Sequence, residues 1–132
     1  MSFLIDTNIC SAYLRGHQQV FNRFVQHSGG LFISSVTVGE LLSWLCRAKT
    51  SSRYMEGFTG FLPDVDILDV DEAVAREYGL LRAGLLDRGR PTPAMDLLLA
   101  ATALRHNLTM VTNNTKDFAH INGLRVVDWM TP

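Results

Sequence analysis

Four acids, Asp6, Glu40, Asp96 and Asp117, lie close to the ends of apolar runs in this sequence. Asp6 closes the run Phe3-Leu4-Ile5. A continuous apolar run bounded by polar residues is what a parallel sheet covered on both faces requires of a strand. Glu40 lies within ISSVTVGELL, Asp96 within PTPAMDLLLAATAL and Asp117 within TNNTKDF. In open α/β sheets ligands bind outside the carboxyl ends of the strands. All four acids fall at strand ends or in first helical turns that should gather at that rim.

Each acid also has a local explanation. Asp6 is a good N-cap for a helix starting at Thr7, and Glu40 with Thr37 fits the T-x-x-E capping box. Asp96 suits the positive end of a helix macrodipole, an effect worth about 0.3–1 kcal/mol, and Asp117 is an ordinary turn acid. Yet Leu97, Leu98, Leu99, Ala100 and Ala101 follow Asp96 and are apolar on every side, the mark of a buried helix. A carboxylate that introduces such a helix is costly unless something compensates it. Several carboxylates brought together also repel, and their pKa values rise unless a cation sits among them. A hard divalent ion resolves that repulsion. Mg²⁺ or Mn²⁺ takes oxygen ligands and keeps several waters, so a few carboxylates and a substrate phosphate suffice. The chemistry this implies is metal-assisted attack of water on a phosphodiester.

Other chemistries lack their residues. None of His17, His27, His106 and His120 stands at ligand spacing to another His or to Cys10 or Cys46, which argues against zinc. No P-loop, GxGxxG turn, GxSxG elbow or Cys/His nucleophile pair is present. A phosphotransfer receiver would need paired acids near Asp6, and a haloacid-dehalogenase-type phosphatase would need an acid where Asn8 stands. The remaining rival is a catalytically inactive module of the same fold that binds RNA or a protein. Asp6, Glu40 and Asp96 together argue against it, because unneutralised carboxylates repel a phosphate backbone.

The elements that must position these acids alternate along the chain. Helical spacing runs from Ser11 to Gln26 with a turn at Gly16, and Ser28-Gly29-Gly30 ends it. Leu31 to Ile33 reads as a second strand, followed by helices from Val36 to Lys49 and from Arg53 to Leu62, stopped at Pro63. Val65 to Val70 predicts a third strand, and Asp71 should cap a helix that ends near Gly89. Thr92 ahead of Pro93 reads as an N-cap and first-turn proline, opening a helix to Asn107. Leu108–Val111 and Leu124–Val127 complete a four- to five-stranded, mostly parallel sheet. Such alternation predicts an α/β fold with helices on both faces.

With 132 residues the chain is expected to form a single domain, residues 1–132. No apolar stretch approaches the roughly 18 residues of a membrane span. The first strand follows the initiating Met without a basic lead, so a cytoplasmic location is expected, with Cys10 and Cys46 as buried thiols. A net charge of −1 excludes coating of nucleic acid by bulk electrostatics. Two local basic stretches, Arg47-Lys49-Arg53 and Arg82-Arg88-Arg90, are either solvated helix faces or supports for backbone phosphates.

DTN after the first strand, S-V-T-x-x-E-L at the second, G-R-P followed by D-L-L-x-A-A, and V-T-N-N-T-x-D-F near the end occur in that order over the whole chain. The ordered set resembles the PIN-domain ribonucleases, in particular VapC-type toxins of toxin–antitoxin pairs. The resemblance implies a three-layer α/β/α sandwich whose acidic pocket binds Mg²⁺ or Mn²⁺ and cleaves structured RNA, with tRNA the first guess. By position, Asp6, Glu40, Asp96 and Asp117 would be the catalytic acids, with Asp6, Asp96 and Asp117 on the metal. Asn8, Thr112 and Asn113 would orient water or phosphate, and Arg88 and Arg90 would hold the RNA backbone. The resemblance further implies a homodimer held inactive by a VapB-type antitoxin. Some members carry the last acid where this chain has Asn114, so the fourth ligand is either Asp117 or an amide.

Overall fold

The computed structural model describes residues 1–132. Five strands, β1 (Phe3–Ile5), β2 (Leu31–Ser34), β3 (Asp66–Leu68), β4 (Thr109–Val111) and β5 (Val126–Val127), form one sheet in the order β3-β2-β1-β4-β5. Every pairing is parallel, with Phe3 opposite both Leu31 and Thr109. Six helices connect them: α1 (Thr7–Leu14), α2 (Gln18–Gln26), α3 (Ser35–Leu45), α4 (Ser52–Phe61), α5 (Glu72–Asp87) and α6 (Ala94–Arg105).

Strand side chains alternate between faces, so each central strand feeds two cores. Phe3, Ile5, Ile33 and Val111 pack with Ile9, Phe24, Leu41 and Phe58 on the side of α1 to α4. Leu4 and Met110 pack with Leu85, Leu97 and Ala100 of α5 and α6 on the other. This is the expected three-layer α/β/α sandwich, and burial on both faces explains why β1 reads as an unbroken apolar run.

Local chemistry sets the junctions. Gly16, at φ +87°, makes the turn that separates α1 from α2. Asp71 caps α5 as expected, accepting from the Val74 amide at 2.9 Å. Two expected caps are corrected. Ser34, not Thr37, caps α3, accepting from the Val36 amide at 3.1 Å, and Thr37 lies buried inside the helix. Pro93, not Thr92, precedes α6, and the Thr92 hydroxyl is instead 2.7 Å from His120 Nε2. Cys10 is buried as expected, but Cys46 is exposed at the end of α3. No helix is long and apolar enough to cross a membrane.

Candidate active site

The strand order reverses between β1 and β4, and a crevice forms where connections leave in opposite directions from neighbouring strands. Asp6 stands there. Its amide donates to the Val111 carbonyl at 2.9 Å, extending the β1–β4 pairing by one residue. Its side chain, only 9% exposed, is held at both oxygens. Oδ1 accepts from the Thr7 amide at 2.7 Å, and Oδ2 accepts from the Thr112 hydroxyl at 2.8 Å. Asp6 is therefore both the cap of α1 and a carboxylate fixed across the reversal point. Thr112, fully buried after β4, also accepts from the Asn114 amide at 3.1 Å, which locks the turn that follows.

Glu40 reaches the same place from α3. Its Oε1 accepts from the Thr7 hydroxyl at 2.5 Å, so its partner lies in another helix and the capping-box explanation does not hold. Thr7 thus orients two acids at once, Asp6 through its amide and Glu40 through its hydroxyl. Asp96 enters from the first turn of α6, half-buried. Asp6, Glu40 and Asp96 line one cleft of about 390 Å³, together with Asn8, Arg15 and Trp44. Asp96 also borders a second cleft of about 280 Å³, where Asp117 lies with Arg90, Lys116 and His120. Asn114, rather than Asp117, faces the first cleft.

The acids are coupled electrically. Burial pushes the Asp6 carboxyl above the usual carboxylate range, the bonds from Thr112 and Thr7 oppose that rise, and Asp96 and Glu40 add to it. Burial also raises Asp96, reinforced by Asp117 and then Glu40. No basic side chain forms an ion pair with these acids; the one ion pair of the chain is the surface pair Arg76–Glu72.

Asn8 donates from Nδ2 to Asn113 Oδ1, tying the start of α1 to the turn after β4. Its own Oδ1 is buried without a partner beside the acids. The donor set is thus carboxylates plus an unsatisfied amide oxygen, which suits a hard cation. No three His, Cys, Asp or Glu side chains are grouped closely enough to hold a metal ion by themselves, so an ion in this cleft would take most of its ligands from water.

Of the residues singled out in the sequence, Asp6, Asn8, Glu40 and Asp96 share the first cleft. Thr112 and Asn113 support it through hydrogen bonds, and Arg90 and Asp117 border the second cleft. Arg88 donates to the His120 carbonyl at 3.3 Å. Arg47 and Lys49 are exposed between α3 and α4 and line neither cleft. Sequence reasoning missed Thr7, Arg15, Trp44, Lys116 and His120. Helical spacing could have found two of them. Asn8, Ser11 and Arg15 follow i, i+3, i+7 on one face, and Trp44 stands one turn after Glu40.

The molecule is thus an α/β protein whose parallel sheet carries an acidic crevice at its reversal point. The PIN domain family model matches residues 3–124, and the chain belongs to that family. It is 37% identical over 130 residues to the tRNA(fMet)-specific endonuclease VapC of Shigella flexneri, covering 98% of each chain. Its fold superposes on VapBC2 of Rickettsia felis, solved with a promoter DNA fragment, at a TM-score of 0.88 and 30% identity over 98% of this chain and 99% of that one. DNA-bound VapBC of Salmonella typhimurium gives a TM-score of 0.89 at 31% identity, over 98% of both chains.

Proposed function

We propose that this chain is a metal-dependent endoribonuclease that cleaves phosphodiester bonds of structured RNA, tRNA first, as the toxin of a toxin–antitoxin pair. The observation that carries the reading is the convergence of Asp6, Glu40 and Asp96 on one cleft with no ion pair to any of them. The relatives' names favour a cutting enzyme over an inactive binding module.

Asp6 and Asp96 would hold Mg²⁺ or Mn²⁺, with Asp117 completing the acids from the adjoining cleft. Bound there, such an ion would supply a lowered pKa for the attacking water and neutralisation of charge on the phosphoryl oxygens. The chain's own residues do the rest. Thr112 and Thr7 fix Asp6 at both oxygens, so the carboxylate stands ready without a rotamer search. Glu40 is held at Oε1 by Thr7, which leaves Oε2 to take a proton from the attacking water. The Asn8–Asn113 pair positions water or phosphate, and Arg88 and Arg90 hold the flanking backbone. A VapB-type antitoxin as inhibitor, a homodimeric assembly, a single domain over residues 1–132 and a cytoplasmic location complete the reading.

The test is cleavage of purified total tRNA with Mg²⁺, with Mn²⁺ and with EDTA, beside Asp96→Asn. Discrete fragments that require the metal and vanish in the variant are the expected result. Intact tRNA at high protein concentration would remove tRNA as substrate, and failure to bind the metal as well would restore the inactive module.

A further inference from the structure

The catalytic cleft has one wall that the hydrolytic chemistry does not use. Arg15, at the end of α1, and Trp44, on α3, line it opposite no acid of their own. The Arg15 guanidinium carbon sits 4.5 Å from the centre of the Trp44 ring and 5.9 Å from that of Tyr54. The Trp44 and Tyr54 rings are 5.3 Å apart, tilted by 37°. Arg53 closes the set, 4.8 Å over Tyr54 and donating to its hydroxyl at 2.8 Å. A chain of this length should hold about two scattered cation–π contacts, at roughly one per 70–80 residues. Here all three fall on this one patch.

Both guanidiniums are exposed and both rings half-buried, with the guanidiniums lying over the rings, so the patch offers solvent planar cations backed by aromatic side chains. Single-stranded RNA is recognised in that way, by unstacked bases laid on aromatic rings or guanidinium planes while cations meet the phosphates. Bases in a duplex stay stacked on one another and cannot use such a surface. Trp44 follows Glu40 by one helical turn, which places the platform beside the point of attack.

We propose that Arg15, Trp44, Tyr54 and Arg53 form a stacking platform for an unpaired base flanking the scissile phosphate. The inference rests on the ribonuclease reading and deepens it. The platform makes unpaired nucleotides the preferred substrate, so a loop is cut ahead of a stem. Trp44 and Arg15 are positioning residues here, acting on the substrate strand and not on the reacting atoms.

Tryptophan emission reads the platform directly. The chain holds two tryptophans, and the second, Trp129, is buried in the core at 3% exposure. Asp96→Asn protein is titrated with a labelled, unpaired RNA of about ten nucleotides and with a duplex of equal length. Binding is followed by anisotropy of the label and stacking by tryptophan quenching. Unpaired RNA should bind and quench, and the duplex should quench far less. Adding Trp44→Phe should keep most of the affinity but abolish most of the quench, and adding Trp44→Ala should weaken binding about ten- to a hundredfold. Because Trp44 packs against the core, thermal melting of each variant checks its fold. In the otherwise wild-type enzyme, Trp44→Ala should raise KM for a loop substrate far more than it lowers kcat. An RNA that binds without quenching, or a quench that survives Trp44→Phe, overturns the platform and leaves the ribonuclease reading intact. An RNA that is neither bound nor cut by the wild-type protein overturns both.

Discussion

Two regions of this molecule are rich in acid and use it in opposite ways. Between residues 64 and 77 six acids follow one another closely, and those with side-chain partners find them nearby in sequence. Asp71 accepts from the amide three residues on, and Glu72 pairs with Arg76 one turn later. The cleft acids come from positions 6, 40, 96 and 117, and no cation of the chain pairs with any of them. The first region carries its charge in water at little cost. The second gathers charge where burial and mutual repulsion oppose it. Acid content therefore says little about function, whereas unrelieved convergence says a great deal.

Substitutions can sharpen or break this contrast. The largest effect is expected for Asp96→Asn, which should lower RNA cleavage about a thousandfold, the equivalent of several kcal/mol of transition-state stabilisation. Asp69→Asn in the acidic stretch should leave the rate within about twofold, and equal losses in both would erase the distinction. Thr112→Val leaves a buried Asp6 oxygen without its donor, which should cost about 1.5–3 kcal/mol in urea unfolding. Cleavage should fall with it, and Thr112→Ser should restore both. Asp71→Ala should cost about 1 kcal/mol of stability through loss of the α5 cap, with cleavage unchanged. Glu72→Gln, at an exposed pair, should shift stability by less than about 0.5 kcal/mol.

The cleft should also respond to pH. The Asp96 carboxyl is raised in the folded protein, so the fold binds that proton more tightly than the unfolded chain does. Stability from this group is full below the unfolded pKa of about 3.9 and is lost as pH rises through the folded value. Metal-free Asp96→Asn should accordingly melt higher than metal-free wild type at neutral pH, with the gap closing as pH falls through the raised folded value and gone by about 4. A gap that widens on acidification would contradict the shift.

Much of this was legible in the sequence, for reasons particular to each element. Phe3-Leu4-Ile5 reads as a strand because burial on both faces leaves no polar position, and Asp71 reads as a cap because its partner lies three residues away. The caps of α3 and α6 were misread because a T-x-x-E pattern and a Thr-Pro pair satisfy local rules. Those hydroxyls found tertiary partners instead, Thr37 beside Thr7 and Thr92 beside His120. The four acids were found by their relation to strand ends. Their supports were not, because the bonds from Thr7 to Glu40 and from Thr112 to Asp6 span 33 and 106 residues. Arg15 and Trp44 were hidden for a similar reason, since the contact between them joins the end of α1 to α3.

The most direct test of the contrast is thermal melting with Mg²⁺, with Mn²⁺ and with EDTA, for wild type, Asp96→Asn and Asp71→Ala. A cation that binds only the folded cleft raises the melting temperature by mass action. A rise of several degrees in wild type and Asp71→Ala, absent in Asp96→Asn and reversed by EDTA, is the expected result. No rise in wild type, or an equal rise in Asp96→Asn, would show that the converging acids do not hold the ion.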